Sequence, residues 1–159
     1  VQGLILDHSV RDNIVLPLLS RISRAGFVDD GAGNQQTDES VSRLSIVTRS
    51  VRQAIKELSG GNQQKVVIAK WLGMQPQILI MDEPTAGVDI GTKVEIVNMI
   101  RAFADEGGSV IMISSELPEL LAVSDRLLIL RDGHVESELD RSEITREEDL
   151  HHAVQGMSA

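Results

Sequence analysis

A run of four apolar residues that ends on two acids is the feature that most constrains this chain. Residues 78–81 read ILIM, and Asp82, Glu83 and Pro84 follow directly. Four apolar residues without alternation predict a strand that is buried on both faces, as in a parallel sheet. Such strands present ligand-site residues at their carboxyl ends. Since side chains alternate along a strand, Asp82 and Glu83 are expected to point in different directions and to serve different purposes.

The two acids suit two kinds of chemistry. One carboxylate could hold Mg²⁺ directly or through water, because that ion takes carboxylate oxygens. The other could orient or deprotonate a water molecule. The alternative is a solvated strand end followed by a proline turn. That alternative accounts for Pro84, but not for paired acids at the end of an apolar strand.

A glycine-rich turn before a predicted helix offers a second site. Residues 58–64 read LSGGNQQ, and an amphipathic helix is predicted over residues 61–72. Ser59 is a good N-cap residue, and Gly60 and Gly61 allow close approach of the backbone. The unpaired N–H groups and the positive dipole end of a helix start suit a phosphate. Taken alone, such a turn is more commonly a capped loop without a ligand.

Together, these two stretches resemble the signature motif and the Walker B motif of ABC ATPases, at the spacing that family uses. The resemblance continues in AGVD at residues 86–89, the place of the D-loop, and in SSE at residues 114–116, the place of the switch region. The chain is most similar to the C-terminal part of the second nucleotide-binding half of sugar-importer ATPases from bacteria (ribose, xylose and galactose type). The resemblance covers nearly the whole chain.

The resemblance implies an α/β fold, a partial ABC-type P-loop NTPase domain with a mostly parallel core sheet. Residues 1–74 correspond to the mainly helical signature subdomain, and residues 75–159 to the Walker B, D-loop and switch part of the core. The phosphate-cradling loop, G-x-x-x-x-G-K-[ST], does not occur in the printed sequence. With the abrupt start at Val1, this suggests a domain cut upstream. The isolated chain is therefore expected to be inactive, although the full-length protein would be an ATPase.

The family's functional residues carry over to the positions that match its motifs, with ATP and Mg²⁺ as cofactors. Glu83 would polarise the attacking water, and Asp82 would help hold Mg²⁺ through water. The switch position, usually a histidine in the family, is Ser115, whose hydroxyl can donate a hydrogen bond but carries no charge. This departure predicts a weakly catalytic site. The residues assigned to nucleotide contacts across a dimer are Ser59, Gly60, Gly61, Asn62, Gln63 and Asp89.

The resemblance also implies partners and a location. A second ATPase half would pair head to tail with this one, transmembrane permease subunits would be driven by it, and a periplasmic sugar-binding protein would act indirectly. The protein would lie at the cytoplasmic face of the bacterial inner membrane as a peripheral subunit. No run of about 18 apolar residues is present, so membrane association would come through a partner.

Composition narrows the alternatives. The net charge of −9 argues against a nucleic-acid surface, where basic stripes are expected. No cysteine is present, and the 4 histidines have no metal-ligand spacing. Two other classes stay open: a soluble, non-transport ABC ATPase that works on DNA ends or ribosomes, and a non-catalytic interaction module. The missing phosphate loop favours the second of these.

For the rest of the chain, helices, strands and turns are predicted from the spacing of apolar residues and from the positions of glycine, proline and helix-capping residues. Residues 10–22 predict a helix that Ser9 caps and Pro17 kinks or breaks. Residues 24–36 are glycine-rich and predict a loop, after which Thr37 caps a short helix. The other predicted elements are an irregular connector over 45–56, helices over 91–105 and 117–123, a buried strand over 109–113, a third strand over 126–130, a hairpin turn at Asp132-Gly133 with a return strand over 134–139, and a final helix from Ser142 that includes Glu143, Glu147 and Glu148.

Overall fold

The computed structural model describes residues 3–144, 148 and 150–151, which contain helices and three two-stranded sheets. In chain order the elements are α1 (Val10–Val15), a 3₁₀ turn (Leu16–Leu18), α2 (Leu19–Ile22), β1 (Ser23–Arg24), β2 (Phe27–Val28), α3 (Asp30–Arg43), a 3₁₀ turn (Ile55–Glu57), α4 (Gly60–Leu72), β3 (Ile78–Asp82), α5 (Ile90–Asp105), β4 (Ser109–Ile113), α6 (Leu117–Val123), β5 (Arg126–Arg131), β6 (His134–Asp140) and a 3₁₀ turn (Arg141–Glu143).

Pro17 divides the first predicted helix, as expected. Residues 10–22 form α1, a 3₁₀ turn and α2 in succession. Proline has no N–H to donate and its ring crowds the preceding turn, which explains the interruption. Ser9 caps α1, because its hydroxyl accepts a hydrogen bond from Asp12 N–H (3.0 Å).

The prediction of a loop over residues 24–36 is wrong in its second half. The helix α3 begins at Asp30 and is capped by Asp29. Thr37, predicted to cap a short helix, lies inside α3, where its hydroxyl donates to the Gly33 carbonyl (2.8 Å). Packing of α3 against α1 offsets the low helix propensity of the glycines.

The connector over residues 45–56 is irregular, as predicted, until it tightens into the 3₁₀ turn Ile55–Glu57. It is tied to the start of α1, because Val10 N–H donates to the Gln53 carbonyl (3.0 Å) and Ile55 N–H donates to the His8 carbonyl (3.0 Å). Ile55 is fully buried. The connector therefore brings the chain to the start of α4 in a fixed position.

One apolar core joins the first helices to β3 and α5. Ile14, Ile55 and Ile96 are fully buried within it, and each such side chain stabilises the fold by about 1.5–3 kcal/mol. The members of this core are Val10, Ile14, Leu44, Ile46, Ile55, Leu58, Val66, Ile68, Ala69, Leu79, Met81, Ile96, Ile100 and Phe103. Since α4, α5 and β3 all face it, the starts of both helices are held in place relative to the end of β3.

The strands β3 and β4 form a parallel pair, which confirms the parallel arrangement predicted for this part of the chain. Their register places Ile78 opposite Ser109 and Asp82 opposite Ile113. The carboxyl ends of both strands therefore lie side by side. The loops that begin at Glu83 and at Ser114 leave the sheet at the same edge.

The prediction that these strands are buried on both faces is wrong for the observed structure. Leu79 and Met81 of β3 are buried, but Ile78 and Ile80 are 59% and 67% exposed. On β4, Ile111 is 54% exposed. The helices α4 and α5 belong to the same core as Leu79 and Met81, so they cover one face of the pair.

The strands β5 and β6 form the predicted hairpin. They pair antiparallel, and Asp132 and Gly133 both have positive φ (49° and 78°), as a tight two-residue turn requires. Leu127 of β5 joins Ile144 and Leu150 in a second buried cluster. Ser142, the predicted start of a final helix, lies in a 3₁₀ turn instead, while Glu147 and most of that predicted helix fall outside the described residues.

Candidate functional site

The start of α4 is an open helix end with a neutral cap. The Ser59 hydroxyl accepts hydrogen bonds from Asn62 N–H (3.4 Å) and from the Asn62 side-chain amide (2.9 Å). The first bond of the helix ladder runs from Gln63 N–H to the Ser59 carbonyl (2.9 Å). The N–H groups of Gly60 and Gly61 precede that bond. Because a helix start cannot pair its first N–H groups internally, it can receive an anion.

The two polar residues after the glycines brace this turn. Asn62 Oδ1 accepts a hydrogen bond from Val47 N–H (2.7 Å), which ties the connector to α4. Gln63 Nε2 donates to the carbonyls of Ile55 (3.2 Å) and Leu58 (3.1 Å). Both side chains therefore hold the backbone that leads into the helix start.

Asp82 and Glu83 differ in backbone conformation at the end of β3. Asp82 is the last residue of β3 and is exposed. Glu83 adopts a left-handed backbone conformation (φ 46°), which is uncommon for a residue with a side chain. Its N–H donates to the Ile113 carbonyl (2.9 Å), so the turn begins with one further bond to β4.

Glu83 and Ser115, assigned to one catalytic centre from the sequence, are in direct contact. Ser115 N–H donates to Glu83 Oε1 (2.8 Å). A carboxylate can accept further hydrogen bonds at both oxygens, so this contact orients Glu83 without saturating it. The Ser115 hydroxyl lies on the same exposed loop.

Asp89 begins α5 as its N-cap. One carboxylate oxygen accepts from Thr92 N–H (3.0 Å) and the other from the Thr92 hydroxyl (2.8 Å). These bonds, with the backbone N–H contributing most, hold the pKa of the Asp89 carboxyl below its ordinary value. The start of α4 packs closely against the start of α5. A Cβ placed on Gly61 would lie only 2.6 Å from the Thr92 hydroxyl oxygen.

The predicted residues thus form two groups. Ser59, Gly60, Gly61 and Asp89 meet where α4 and α5 begin, and Asn62 and Gln63 support them. Asp82, Glu83 and Ser115 meet where β3 and β4 end. Within the described residues, no hydrogen bond joins one group directly to the other. The loop of residues 83–89 connects them along the chain.

Sequence reasoning missed a buried polar cluster beneath the second group. Glu119 of α6 is 7% exposed, and it binds Thr85, Ser114 and Lys93. Its partner Thr85 lies 34 positions away along the chain. No local pattern marks Glu119, so only the fold could identify it.

The carboxylates fit a magnesium ion that is shared with phosphates. Within the described residues, no group of three His, Cys, Asp or Glu side chains could hold a metal ion by itself. Mg²⁺ is usually bound by one or two carboxylates, several waters and the phosphates of a substrate. The single exposed carboxylate of Asp82 at the strand end satisfies that requirement, and Glu83 lies next to it in the chain.

Comparison with known families matches the sequence motifs and the fold described above. The family model for ABC transporters matches residues 2–86, which is more than half of the chain. The chain belongs to the ABC transporter family. This confirms the resemblance that the motifs of residues 58–89 and 114–116 indicated.

Curated relatives in the family are named ribose import ATP-binding protein RbsA. The protein from Bacillus licheniformis is 47% identical over 146 residues, which cover 92% of this chain and 30% of the relative. The protein from Streptococcus agalactiae is 43% identical over 155 residues, which cover 98% of this chain and 32% of the relative. The chain therefore spans about a third of the length of these relatives.

Solved ABC structures share the fold. A dimeric ATP-binding cassette in a post-hydrolysis state, bound to ADP and phosphate, matches with a TM-score of 0.76 and 26% identity over 89% of this chain and 61% of that one. An inward-facing metal-chelate type ABC transporter matches with a TM-score of 0.80 over 98% of this chain and 62% of that one, at 19% identity. The α/β cassette fold is thereby confirmed. In the described residues, no helix is both long and apolar enough to cross a membrane.

Proposed function

We propose that this chain is the signature, Walker B and switch part of an ATPase subunit that couples ATP hydrolysis to carbohydrate uptake through a transmembrane partner. The contact between Ser115 N–H and Glu83 Oε1 (2.8 Å) at the shared edge of β3 and β4 carries the proposal. The identity of 43–48% to proteins named for ribose import supports the sugar class. We divide the chain into a mainly helical signature part, residues 1–74, and a core part, residues 75–159.

Glu83 is the proposed residue that polarises the attacking water. Ser115 N–H holds its carboxylate and the bond from its own N–H to β4 holds its backbone, yet the carboxylate retains acceptor capacity for a water proton. The Ser115 hydroxyl can donate to a phosphate oxygen from the neighbouring loop. Because a hydroxyl carries no charge, it stabilises developing negative charge less than a charged donor would. This supports a site of modest catalytic power.

Asp82 is the proposed residue that holds Mg²⁺ through water. Its exposed carboxylate at the strand end fits an ion that keeps several waters. When bound with ATP, Mg²⁺ would neutralise charge that develops on the phosphates. The carboxylate of Asp82 would hold that ion at the end of β3.

The start of α4 is the proposed contact with nucleotide held by a second ATPase half. The N–H groups of Gly60 and Gly61 and the Ser59 hydroxyl would bind its terminal phosphate, with Asn62 and Gln63 maintaining the turn. Asp89 would bridge toward the partner half. A head-to-tail pair of this kind would drive permease subunits at the cytoplasmic face of the inner membrane, with a periplasmic sugar-binding protein acting indirectly.

The experiment that tests this function grafts the chain into a relative. The segment of the Bacillus licheniformis ribose import ATP-binding protein that matches this chain is replaced by it, and nucleotide bound and released per protein is followed. In the chimera, Glu83→Gln should retain ATP unhydrolysed and slow release of ADP from the grafted site by about 100-fold or more, as loss of a general base does. Glu138→Gln, which removes an exposed carboxylate paired with Arg126 on the hairpin, is the matched control. Release at the parent rate in the Glu83→Gln chimera would remove the proposed role.

A second candidate function, a non-catalytic interaction module, is favoured by one observation. The 159 residues contain no phosphate-cradling loop. The chain alone should then pair with an ATPase half without binding ATP. Direct ATP binding by the isolated chain with Mg²⁺ would contradict this second function, and it would show that other residues here hold nucleotide.

A further inference from the structure

Glu119 is a buried acid that the proposed hydrolysis does not use. Its Oε2 accepts hydrogen bonds from the Thr85 hydroxyl (2.5 Å) and from the Ser114 hydroxyl (3.1 Å). Its Oε1 lies 3.1 Å from Lys93 Nζ. These partners come from three places: the loop after β3, the loop after β4, and the first turn of α5. One carboxylate of α6 therefore joins the loops that contain Glu83 and Ser115 to the start of α5.

The charge of Glu119 is balanced inside the structure. Burial raises the pKa of the Glu119 carboxyl, but the hydrogen bond from Thr85, the ion pair with Lys93 and the hydrogen bond from Ser114 outweigh that effect and hold the pKa below its ordinary value. Lys93 also pairs with Glu116, and its own pKa is raised by these two acids. A buried carboxylate that lost these partners would be strongly unfavourable. The two loops and α5 are therefore bound to Glu119 in one arrangement.

The two residues that donate hydrogen bonds to Glu119 lie close in sequence to Glu83 and Ser115. The Ser114 hydroxyl that donates to Glu119 also accepts from Glu116 N–H (3.0 Å), which shapes the turn that contains Ser115. Thr85, the other donor, follows Glu83 by two residues. Glu119 thus holds both loops whose meeting produces the contact between Ser115 N–H and Glu83.

The backbone at Glu83 shows why such support is needed. Its φ of 46° lies in the left-handed region, which a residue with a side chain leaves unless its surroundings hold it there. The bond from Glu83 N–H to the Ile113 carbonyl fixes one side of the turn. The bonds from Thr85 and Ser114 to Glu119 fix the other side.

We propose that Glu119 and Lys93 form a positioning pair that sets the geometry between Glu83 and Ser115. Glu119 acts through the Thr85 and Ser114 hydroxyls, and Lys93 supplies the charge that keeps the buried carboxylate in place. The pair deepens the proposed hydrolytic role of Glu83, and its effect on hydrolysis rests on that role. The contact between Glu83 and Ser115 that the pair maintains lies within this chain, so it can be tested without nucleotide.

Amide hydrogen exchange on the chain without nucleotide tests the pair. Thr85→Val keeps the side-chain volume and removes the hydroxyl, whereas Thr85→Ser keeps the hydroxyl. Thr85→Val and Glu119→Gln should each accelerate exchange of the Ser115 amide by about tenfold relative to the amide of Met112 in β4, because the loop opens locally. Thr85→Ser and the surface control Glu138→Gln should leave that ratio within about twofold of the wild-type value.

The outcomes separate positioning from simple support of the fold. If Thr85→Val and Glu119→Gln change exchange at Ser115 and Met112 by the same factor, Glu119 only stabilises the fold and the proposal is wrong. Should Glu119→Gln fail to fold, Thr85→Val still decides, since it removes one hydrogen bond and no charge. In the chimera, Thr85→Val should lower kcat and leave KM for ATP unchanged. A chimera without turnover would count against the proposed function and leave the exchange result standing.

Discussion

The helices α4 and α5 begin side by side, yet they treat their N-termini in opposite ways. α4 is capped by the neutral hydroxyl of Ser59, while α5 is capped by the carboxylate of Asp89. Both caps accept a hydrogen bond from the N–H three residues ahead, at 3.4 Å in α4 and 3.0 Å in α5. The difference is the charge placed at the positive end of each helix dipole.

This difference supports the proposal that the start of α4, and not that of α5, receives a phosphate. The carboxylate of Asp89 interacts favourably with the positive end of the α5 dipole, so this helix start already has a negative charge beside it from within the chain. A serine cap satisfies one N–H and leaves the dipole uncompensated, so α4 can receive an anion from outside. The contact between Gly61 and Thr92 keeps the two starts together, which places the open one beside the closed one.

The largest expected effect on stability comes from adding a side chain at Gly61, where the starts of α4 and α5 are in contact. A Cβ on Gly61 would lie 2.6 Å from Thr92 Oγ1 and 2.9 Å from its methyl carbon, and Thr92 is held by Asp89. We expect Gly61→Ala to lower the free energy of unfolding by about 1–3 kcal/mol, the usual effect of overpacking. Gly60→Ala is the matched control, because its Cβ would meet nothing nearer than the Gly87 carbonyl at 3.9 Å. Urea unfolding of both variants measures the difference.

A second substitution at Thr92 checks the cause of that loss. In a Thr92→Ala background the two closest atoms are absent, so Gly61→Ala should become less destabilising by about 1 kcal/mol or more, as expected for residues in contact. An equal loss in both backgrounds would mean that the two helix starts are not coupled through this contact.

An effect of intermediate size is expected from substitutions of Ser59, the neutral N-cap of α4. Ser59→Ala should lower the free energy of unfolding by about 1 kcal/mol, because one N–H loses its acceptor. Ser59→Asp should keep stability near that of the wild type, since an acid also caps a helix start. In the chimera, however, Ser59→Asp should reduce ATP turnover more than Ser59→Ala does, because its carboxylate repels the phosphate. Equal turnover in these two variants would remove the argument that an open start serves an anion.

The parts of this site that sequence could predict are those with local causes. Ser59 and the glycines mark the start of α4 within a few residues, and the run of residues 78–83 marks both a strand and its end. The parallel pairing of β3 and β4 brings Glu83 to Ser115, two residues that the family resemblance assigned to one catalytic centre. Each of these features depends on neighbours along the chain or on the general geometry of parallel strands.

The predictions that were wrong, and the residue that was missed, concern features that depend on tertiary packing. The glycines near residue 31 predict a loop, but packing against α1 makes them the first turns of α3. The exposure of Ile78 and Ile80 depends on what covers the sheet, which an apolar run cannot reveal. Glu119 reads as an ordinary helix acid, because its partners Thr85 and Lys93 are distant in sequence.

The smallest expected effect separates the two caps by their dependence on pH. Thr92 N–H and then the Thr92 hydroxyl lower the pKa of Asp89 from its ordinary value of 3.8. A carboxyl whose pKa is lower in the folded state contributes stability above its unfolded pKa, and that contribution is lost as the pH falls through the folded pKa. Asp89→Asn keeps a side chain that can cap the helix and removes the titration.

The measurement compares two differences in the free energy of unfolding as the pH is lowered from about 6 to about 3. The difference between wild type and Asp89→Asn should shrink over this range, because the wild type loses the advantage of its charge. The difference between wild type and Ser59→Ala should stay constant, because a hydroxyl does not titrate there. If both differences stay constant, the charge of Asp89 contributes nothing to its helix start, and the two starts differ only in the shape of their caps.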